Sequence, residues 1–150
     1  MRAVVQRVRE ASVAAEDRLL AKIGEGFVVL LGVSGDDGER EAKYLARKIA
    51  YLRVFDDEAG KMNLALADVS GSVLVISQFT LFGDVRRGRR PGFTGAAPPD
   101  VAEPLVGRFA DLLRAEGVSV AEGQFRAHMQ VSLCNDGPVT LILDTAQMLR

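Results

Sequence analysis

Two runs of this chain are apolar at almost every position, and they limit the folds open to it. Residues 26–33 read GFVVLLGV, and residues 72–76 read SVLVI. A strand with one wet face alternates apolar and polar residues; a strand without that alternation is covered on both faces. The first run is therefore a fully buried strand. The second is central, because Val73, Leu74, Val75 and Ile76 are apolar on both faces. At 150 residues, the chain is long enough for one domain with a core of this kind and short for two.

The rest of the chain supplies the cover. Ala42, Leu45, Ala46, Ile49 and Leu52 recur at helical spacing, with Arg40, Glu41, Lys43 and Lys48 mostly between them. This predicts an amphipathic helix over residues 37–53. A second helix is expected from Asp100, with a capping-box-like D-x-x-E to Glu103. Its stripe is Val101, Leu105, Phe109, Leu112 and Leu113, and EGV at 116–118 ends it. Four short strands open the chain, at residues 2–8, 11–17, 19–24 and 26–33. The central strand runs over residues 72–82, and DDEAGK at 56–61 is a turn. Two more strands, QFRAHMQVSLC and PVTLILD, close the chain and are joined through Asn135, Asp136 and Gly137. The expected fold is a compact single α/β domain over residues 1–150, with mostly antiparallel sheets and two main helices.

The inventory excludes several chemistries. There is one histidine, His128, and one cysteine, Cys134, so no zinc site of several His or Cys ligands and no internal disulfide can form. No G-x-S-x-G elbow is present. His128 falls on the polar side of an alternating segment and reads as a surface histidine. Cys134 reads as a small buried apolar residue. Net charge is −1, from 19 basic and 20 acidic residues, so any contact with nucleic acid must come from a local patch. The opening MRAVVQRVRE has no signal-peptide core, and no apolar run has membrane-spanning length. A cytoplasmic protein with no membrane partner is expected.

Three short motifs stand out. SQFT, residues 77–80, ends the central strand with two hydroxyls and an amide. Strand ends are where α/β proteins place binding groups, and also where any strand meets water. RRGRRP holds Arg86, Arg87, Arg89 and Arg90 around Gly88, a pattern suited to phosphate oxygens or to a solvated loop. NDGPVT, residues 135–140, reads as a turn between strands. Its Gly137–Pro138 bond could be cis, which would aim carbonyl oxygens rigidly at a small ligand.

Taken together, these pieces resemble the D-aminoacyl-tRNA deacylases over essentially the whole chain. The likeness rests on MRAVVQRV, AGKMNLALADV, SQFTLFGD, RRGRRPGF, AAPPDVAEPL and NDGPVTLILDT, in that order. The resemblance implies a barrel-like, layered β/β/α homodimer that needs no metal or cofactor. It implies hydrolysis of the ester joining a D-amino acid, or mischarged glycine, to the 3′-terminal adenosine of tRNA. Ser77, Gln78, Phe79 and Thr80 would be the catalytic pocket, with backbone N–H groups near Phe79 and Thr80 holding the oxyanion. A cis Gly137–Pro138 would enter the partner's site and reject L side chains. Asn135, Thr140 and Met129 would complete that substrate site, and Arg86, Arg87, Arg89 and Arg90 would meet tRNA, with no role for DNA. No general base for Thr80 is visible, so the ribose 2′-hydroxyl is expected to assist. The chain departs from the family at Gly92, usually serine, and at Arg126 and His128, where F-G-A-D-M is usual; neither change touches SQFT or NDGPVT. Two other classes remain: an RNA-binding module gripping acceptor ends without cutting, and a non-enzymatic homodimer.

Overall fold

The structure, a computed structural model, describes residues 1–149. Its frame is a six-stranded sheet. Strands β1 (Arg2–Ala15), β2 (Arg18–Ile23) and β3 (Gly26–Gly32) lead into helix α1 (Glu39–Ala50). A small hairpin of β4 (Phe55–Asp56) and β5 (Met62–Leu64) follows, then β6 (Ser72–Ser77) and α2 (Pro99–Ala115). Strands β7 (Ser119–Glu122) and β8 (Gln130–Asp144) and the short α3 (Thr145–Met148) complete the chain. The sheet order is β2-β1-β3-β6-β7, with β8 on the other side of β1. Strand β2 lies close to β6 and β7, so the sheet curls into a nearly closed barrel.

The two apolar runs are the central strands, as their composition requires. On one face, Phe27, Val29, Leu31, Val73 and Val75 pack against Ala42, Leu45, Ala46 and Ile49 of α1 and Val106, Phe109 and Leu113 of α2. On the other, Val28, Leu74 and Ile76 meet Val8, Ala11, Val13 and Ile23 inside the curl. Strand β3 pairs with β6, and β6 with β7, in parallel. The sheet is therefore mixed: the pairings of β1 with β2, β3 and β8 are antiparallel, as expected for most of the sheet, and the two pairings of β6 are parallel. Parallel strands need long crossovers, and α1 and α2 lie in those crossovers and cover the sheet.

The chain's first two predicted strands are one strand. β1 carries Ala3, Val5 and Arg7 toward the helices, then Val8, Ala11 and Val13 toward the inside of the curl. The switch coincides with a register shift against β8 between Val8 and Glu10. One extra residue reverses the alternation, which is what a bulge does to a pleated strand. A break in alternation reads as a turn in sequence when it is in fact a bulge.

The helices also differ in detail from expectation. α2 starts at Pro99 with Pro98 as its cap residue, and no side chain caps it; Asp100 lies inside the first turn. Its buried side is Ala102, Val106, Phe109, Ala110 and Leu113, while Val101 is exposed and Leu105 and Leu112 are partly buried. Small residues let the helix approach the sheet, so alanines occupy the contact line. β7, α3 and the β4–β5 hairpin carry too short a pattern to be read from sequence. Among the described residues, no helix is long and apolar enough to cross a membrane.

At Gly26 the sheet tolerates no side chain. Its φ is +154°, and a Cβ there would stand 1.8 Å from the Ser72 carbonyl oxygen. Gly26→Ala should destabilise the fold by more than about 1 kcal/mol, because backbone has to move. Urea unfolding measures it, and an unchanged midpoint would show that β3 and β6 separate freely at this end.

Candidate active site

The end of β6 is turned away from the sheet by its own hydrogen bonding. Ser77 is the last residue paired with β3, opposite Leu31. Gln78 N–H then donates to the Leu31 carbonyl at 2.8 Å, and a 3-10 turn, Phe79–Phe82, begins. The strand thus stops five residues short of the sequence expectation, which ran to Phe82. Among the described residues, the Phe79 and Thr80 N–H groups donate to nothing in the chain, as the first amides of a helical turn have no internal acceptor. The Gln78 side-chain amide donates to Thr80 Oγ1. Arg2 holds the turn from below: Nη1 donates to the Leu81 carbonyl at 2.7 Å, and the guanidinium lies 4.8 Å from the Phe82 ring centre. Asp144 accepts from Nε and Nη2 of the same arginine at 3.0 and 2.9 Å.

Beside this turn opens a cavity of about 580 Å³. Ser77, Gln78 and Phe79 line one side, Phe93 and Ala102 another, and Met129 a third. Met129 is half-buried, as a pocket residue should be. Arg126 and His128 stand exposed on the same wall, so the surface histidine of the sequence reading is also a pocket residue. No carboxylate and no thiol lines the cavity. The Thr80 hydroxyl is hydrogen-bonded only to Gln78 among the described residues, so it has no general base.

NDGPVT is not a hairpin turn. β8 runs through it as one strand paired with β1. Thr140 pairs with Gln6 and Asn135 with Val8, so residues 136–139 stand opposite Arg7 alone and leave the ladder as an outgrowth. The Gly137–Pro138 bond is cis, and both residues are exposed. Asn135 ties the outgrowth at its base: Oδ1 accepts from Val139 N–H at 3.2 Å, and Nδ2 donates to Thr140 Oγ1 at 3.3 Å. Arg7 supports it from beneath. This guanidinium is buried, with Nε donating to the Asp136 carbonyl at 3.0 Å and Nη1 to the Val54 carbonyl at 2.6 Å. A Cβ on Gly137 would stand 2.8 Å from Arg7 Nη2. Cys134, expected to be buried, is exposed, because the same strand shows its outer face to solvent.

The chain does not bring its two signatures together. Ser77 is level with Leu31 on β3, and the outgrowth is level with Phe27 through Arg7. That separation is four residues along the strands and three strands across, about 13 Å and about 14 Å at standard spacings.

The basic loop is closed at its base by Asp84 and Gly92, whose N–H groups donate to each other's carbonyls at 2.7 and 2.9 Å. Phe93 then packs edge-on to Phe79, with ring centres 5.0 Å apart, so the loop is docked on the SQFT turn. Gly92 is not demanded by geometry, since a Cβ there meets open space. Arg86 is engaged within the loop: Asp84 accepts from its Nε and Nη2 at 2.9 and 2.7 Å. That fork, with the Arg86 backbone N–H, pulls the Asp84 carboxyl down to about 2. A depressed carboxylate keeps its partner above the ordinary carboxylate range and loses it only as pH falls through about 2, so the brace is intact at neutral pH. Arg87, Arg89 and Arg90 are exposed and make no ion pair among the described residues.

A family model described as D-Tyr-tRNA(Tyr) deacylase matches residues 4–144. The chain belongs to that family. It is 55% identical over 148 residues to the D-aminoacyl-tRNA deacylase of Thermotoga petrophila, covering 99% of each chain. It is 57% identical to that of Thermomicrobium roseum, covering 99% of this chain and 96% of the relative. The solved structure of a c-Myc DNA Unwinding Element Binding Protein superposes with a TM-score of 0.89 at 42% identity, over 96% of this chain and 98% of that one. A probable eukaryotic D-amino acid tRNA deacylase shares the fold alone, with a TM-score of 0.81 at 17% identity over 95% of this chain and 97% of that one.

Two structural supports of these segments escape a reading by motif. Arg2 and Arg7 look like ordinary charges in RAVVQRV, yet one braces SQFT and the other NDGP. The available signal was Arg7 at an apolar-phase position, between Val5 and Val8. Arg7→Ala leaves two carbonyls without their donor and should cost about 3 kcal/mol of unfolding free energy. Urea denaturation reads this directly, and a loss under about 1 kcal/mol would mean that Asn135 alone holds the outgrowth.

Proposed function

We propose that this chain hydrolyses the ester between a D-amino acid and the 3′-terminal adenosine of tRNA, and clears mischarged glycine in the same way. The observation that carries this reading is the SQFT turn: its Phe79 and Thr80 amides have no acceptor among the described residues, and its Ser77, Gln78 and Phe79 line a cavity with no carboxylate. Water attacks the ester carbonyl, and the Phe79 and Thr80 amides stabilise the charge that develops on its oxygen. The bond to the ribose 3′-oxygen breaks, and that oxygen leaves with a proton. Ser77 and Gln78 position the ester from the cavity wall. The neighbouring ribose 2′-hydroxyl assists proton movement, because no carboxylate lines the cavity and no base is hydrogen-bonded to the Thr80 hydroxyl among the described residues. Orientation of this kind accounts for several powers of ten in rate. No metal or cofactor enters the scheme.

Chiral selection falls to the outgrowth at Gly137 and Pro138, with Asn135 and Thr140 holding it and Met129 on the receiving wall. Because the two signatures lie apart in one chain, a second copy supplies the outgrowth to each cavity. The face available for that contact includes Val4, Leu30 and Ile142, neighbours across β1, β3 and β8, with Ile142 73% exposed. Arg87, Arg89 and Arg90, with Arg86 steadied by Asp84, meet the tRNA backbone. The work is placed in the cytoplasm, where aminoacyl-tRNA is made and used.

Single-turnover deacylation of matched D- and L-tyrosyl-tRNA, with a chelator present, tests the reading. Rapid loss of the D ester alone supports it. Salt-sensitive tRNA binding without cleavage would favour an acceptor-end binding module instead, and tight DNA binding would remove the restriction to RNA. Thr80→Ala should keep activity within about fivefold, since loss of a true general base or nucleophile costs about a hundredfold or more; a collapse to background would restore Thr80 as the nucleophile. Gly137→Ala should clash with Arg7 and Val139, displace the outgrowth, and raise L-ester cleavage about tenfold or more relative to D, a difference of about 1.4 kcal/mol in the barrier. Unchanged selectivity would take the outgrowth out of the account.

A further inference from the structure

The cavity wall contains a backbone anomaly. Ala127 N–H donates to the Gln124 carbonyl at 3.2 Å, closing a four-residue turn whose third residue is Arg126. Arg126 has φ of +63°, in the left-handed region that L side chains rarely adopt. Glycine fills such a turn position without strain, and this chain places arginine there. Strain retained beside a cavity points to a use for the side chain.

The surroundings indicate which use. Arg126 and His128 both line the cavity of about 580 Å³, and among the described residues they are its only titratable side chains. Arg126 makes no ion pair or hydrogen bond among the described residues. The rest of the wall is largely apolar and aromatic, with Phe79, Phe93 and Phe125. In a chain of net charge −1, this cavity is therefore cationic. A largely apolar, aromatic chamber with an unpaired guanidinium in its wall suits a heterocyclic base carrying a phosphate, because the fork of arginine matches two phosphate oxygens.

We infer that Arg126, with a ring N–H of His128 beside it, binds the phosphodiester joining the last two nucleotides of the acceptor strand. The inference rests on the reading that the ester end of tRNA lies at SQFT. The phosphate contact fixes the terminal nucleotide at its 5′ side while the SQFT amides hold the ester at its 3′ side. Arg126 is here a binding and positioning residue, and it takes no part in bond breaking.

Calorimetric titration with 5′-AMP and with adenosine tests this without any deacylation. The intact protein should bind 5′-AMP at least threefold more tightly than adenosine. Arg126→Gly relieves the positive φ, so the fold should stand, and it should abolish the preference; Arg126→Lys should restore part of it. In deacylation, Arg126→Gly should raise KM for D-tyrosyl-tRNA about tenfold, the effect of one charge-assisted contact, and change kcat much less. The slope of log(kcat/KM) against log salt should flatten by about 0.7, one phosphate contact to a single strand. Equal binding of the two probes by the intact protein, no binding of either, or a preference that survives in Arg126→Gly would overturn the inference and leave the deacylase reading standing if the D ester is still cut. A preference lost in Arg126→Gly with no ester cleaved would sustain the phosphate site and remove the deacylase reading.

Discussion

The SQFT turn and the NDGP outgrowth are both braced from one strand, β1, which is hydrogen-bonded on both sides along most of its length. β8 follows one edge, and β3 and then β2 follow the other. A strand fixed on both edges cannot slip, because a one-residue shift would turn its whole apolar set to the wrong face. The bulge near Glu10 lets the same strand serve two cores in sequence. Without it, either Ala3 and Val5 or Ala11 and Val13 would face the wrong layer. The buried α-amine of Met1, bonded to Asp37 and to Thr145 Oγ1, ties the beginning of this strand to the approach to α1 and the end of β8.

Two arginines carry that rigidity outward. Arg2 reaches from β1 to the carbonyl of Leu81 and the ring of Phe82, and Arg7 reaches the carbonyls of Asp136 and Val54. Each uses a fork whose several donors can address two segments at once, which a lysine ammonium does less well. The SQFT turn and the NDGP outgrowth are both irregular backbone, and irregular backbone needs outside donors or acceptors to hold a single shape. Their separation within one chain follows from the same geometry. Arg2 and Arg7 lie five residues apart on an extended strand, so what they brace lies far apart too.

Much of the fold was legible because burial on two faces leaves an unmistakable pattern. GFVVLLG and SVLVIS became the central strands, and the α1 stripe Ala42, Leu45, Ala46 and Ile49 is wholly buried. The failures have physical causes. Bulges at Arg9 and at residues 136–139 imitate turns, since both interrupt alternation and both carry polar residues or glycine. The mostly antiparallel pairing was legible, but the two parallel pairings of β6 were not, because its partners are decided by where α1 and α2 return the chain. Cys134 was misjudged because small apolar residues favour cores in general, while this one lies on the outer face of β8.

Within the site, sequence alone determined the composition: SQFT at a strand end, arginines around Gly88, a Gly-Pro near the last strand, and no histidine or carboxylate pair suited to acid–base work. Those are properties of residue type and order, and they survive any arrangement of the chain. Only the structure decided that the Phe79 and Thr80 amides have no acceptor among the described residues, that Arg2 and Arg7 brace SQFT and NDGP, and that Arg126 and His128 share a cavity with Ser77, Gln78 and Phe79. Each of these depends on which groups meet after more than local folding, or on which hydrogen bonds a turn leaves unmade. Side-chain identity is written along the chain, whereas partnership and burial arise only when distant segments are packed against one another.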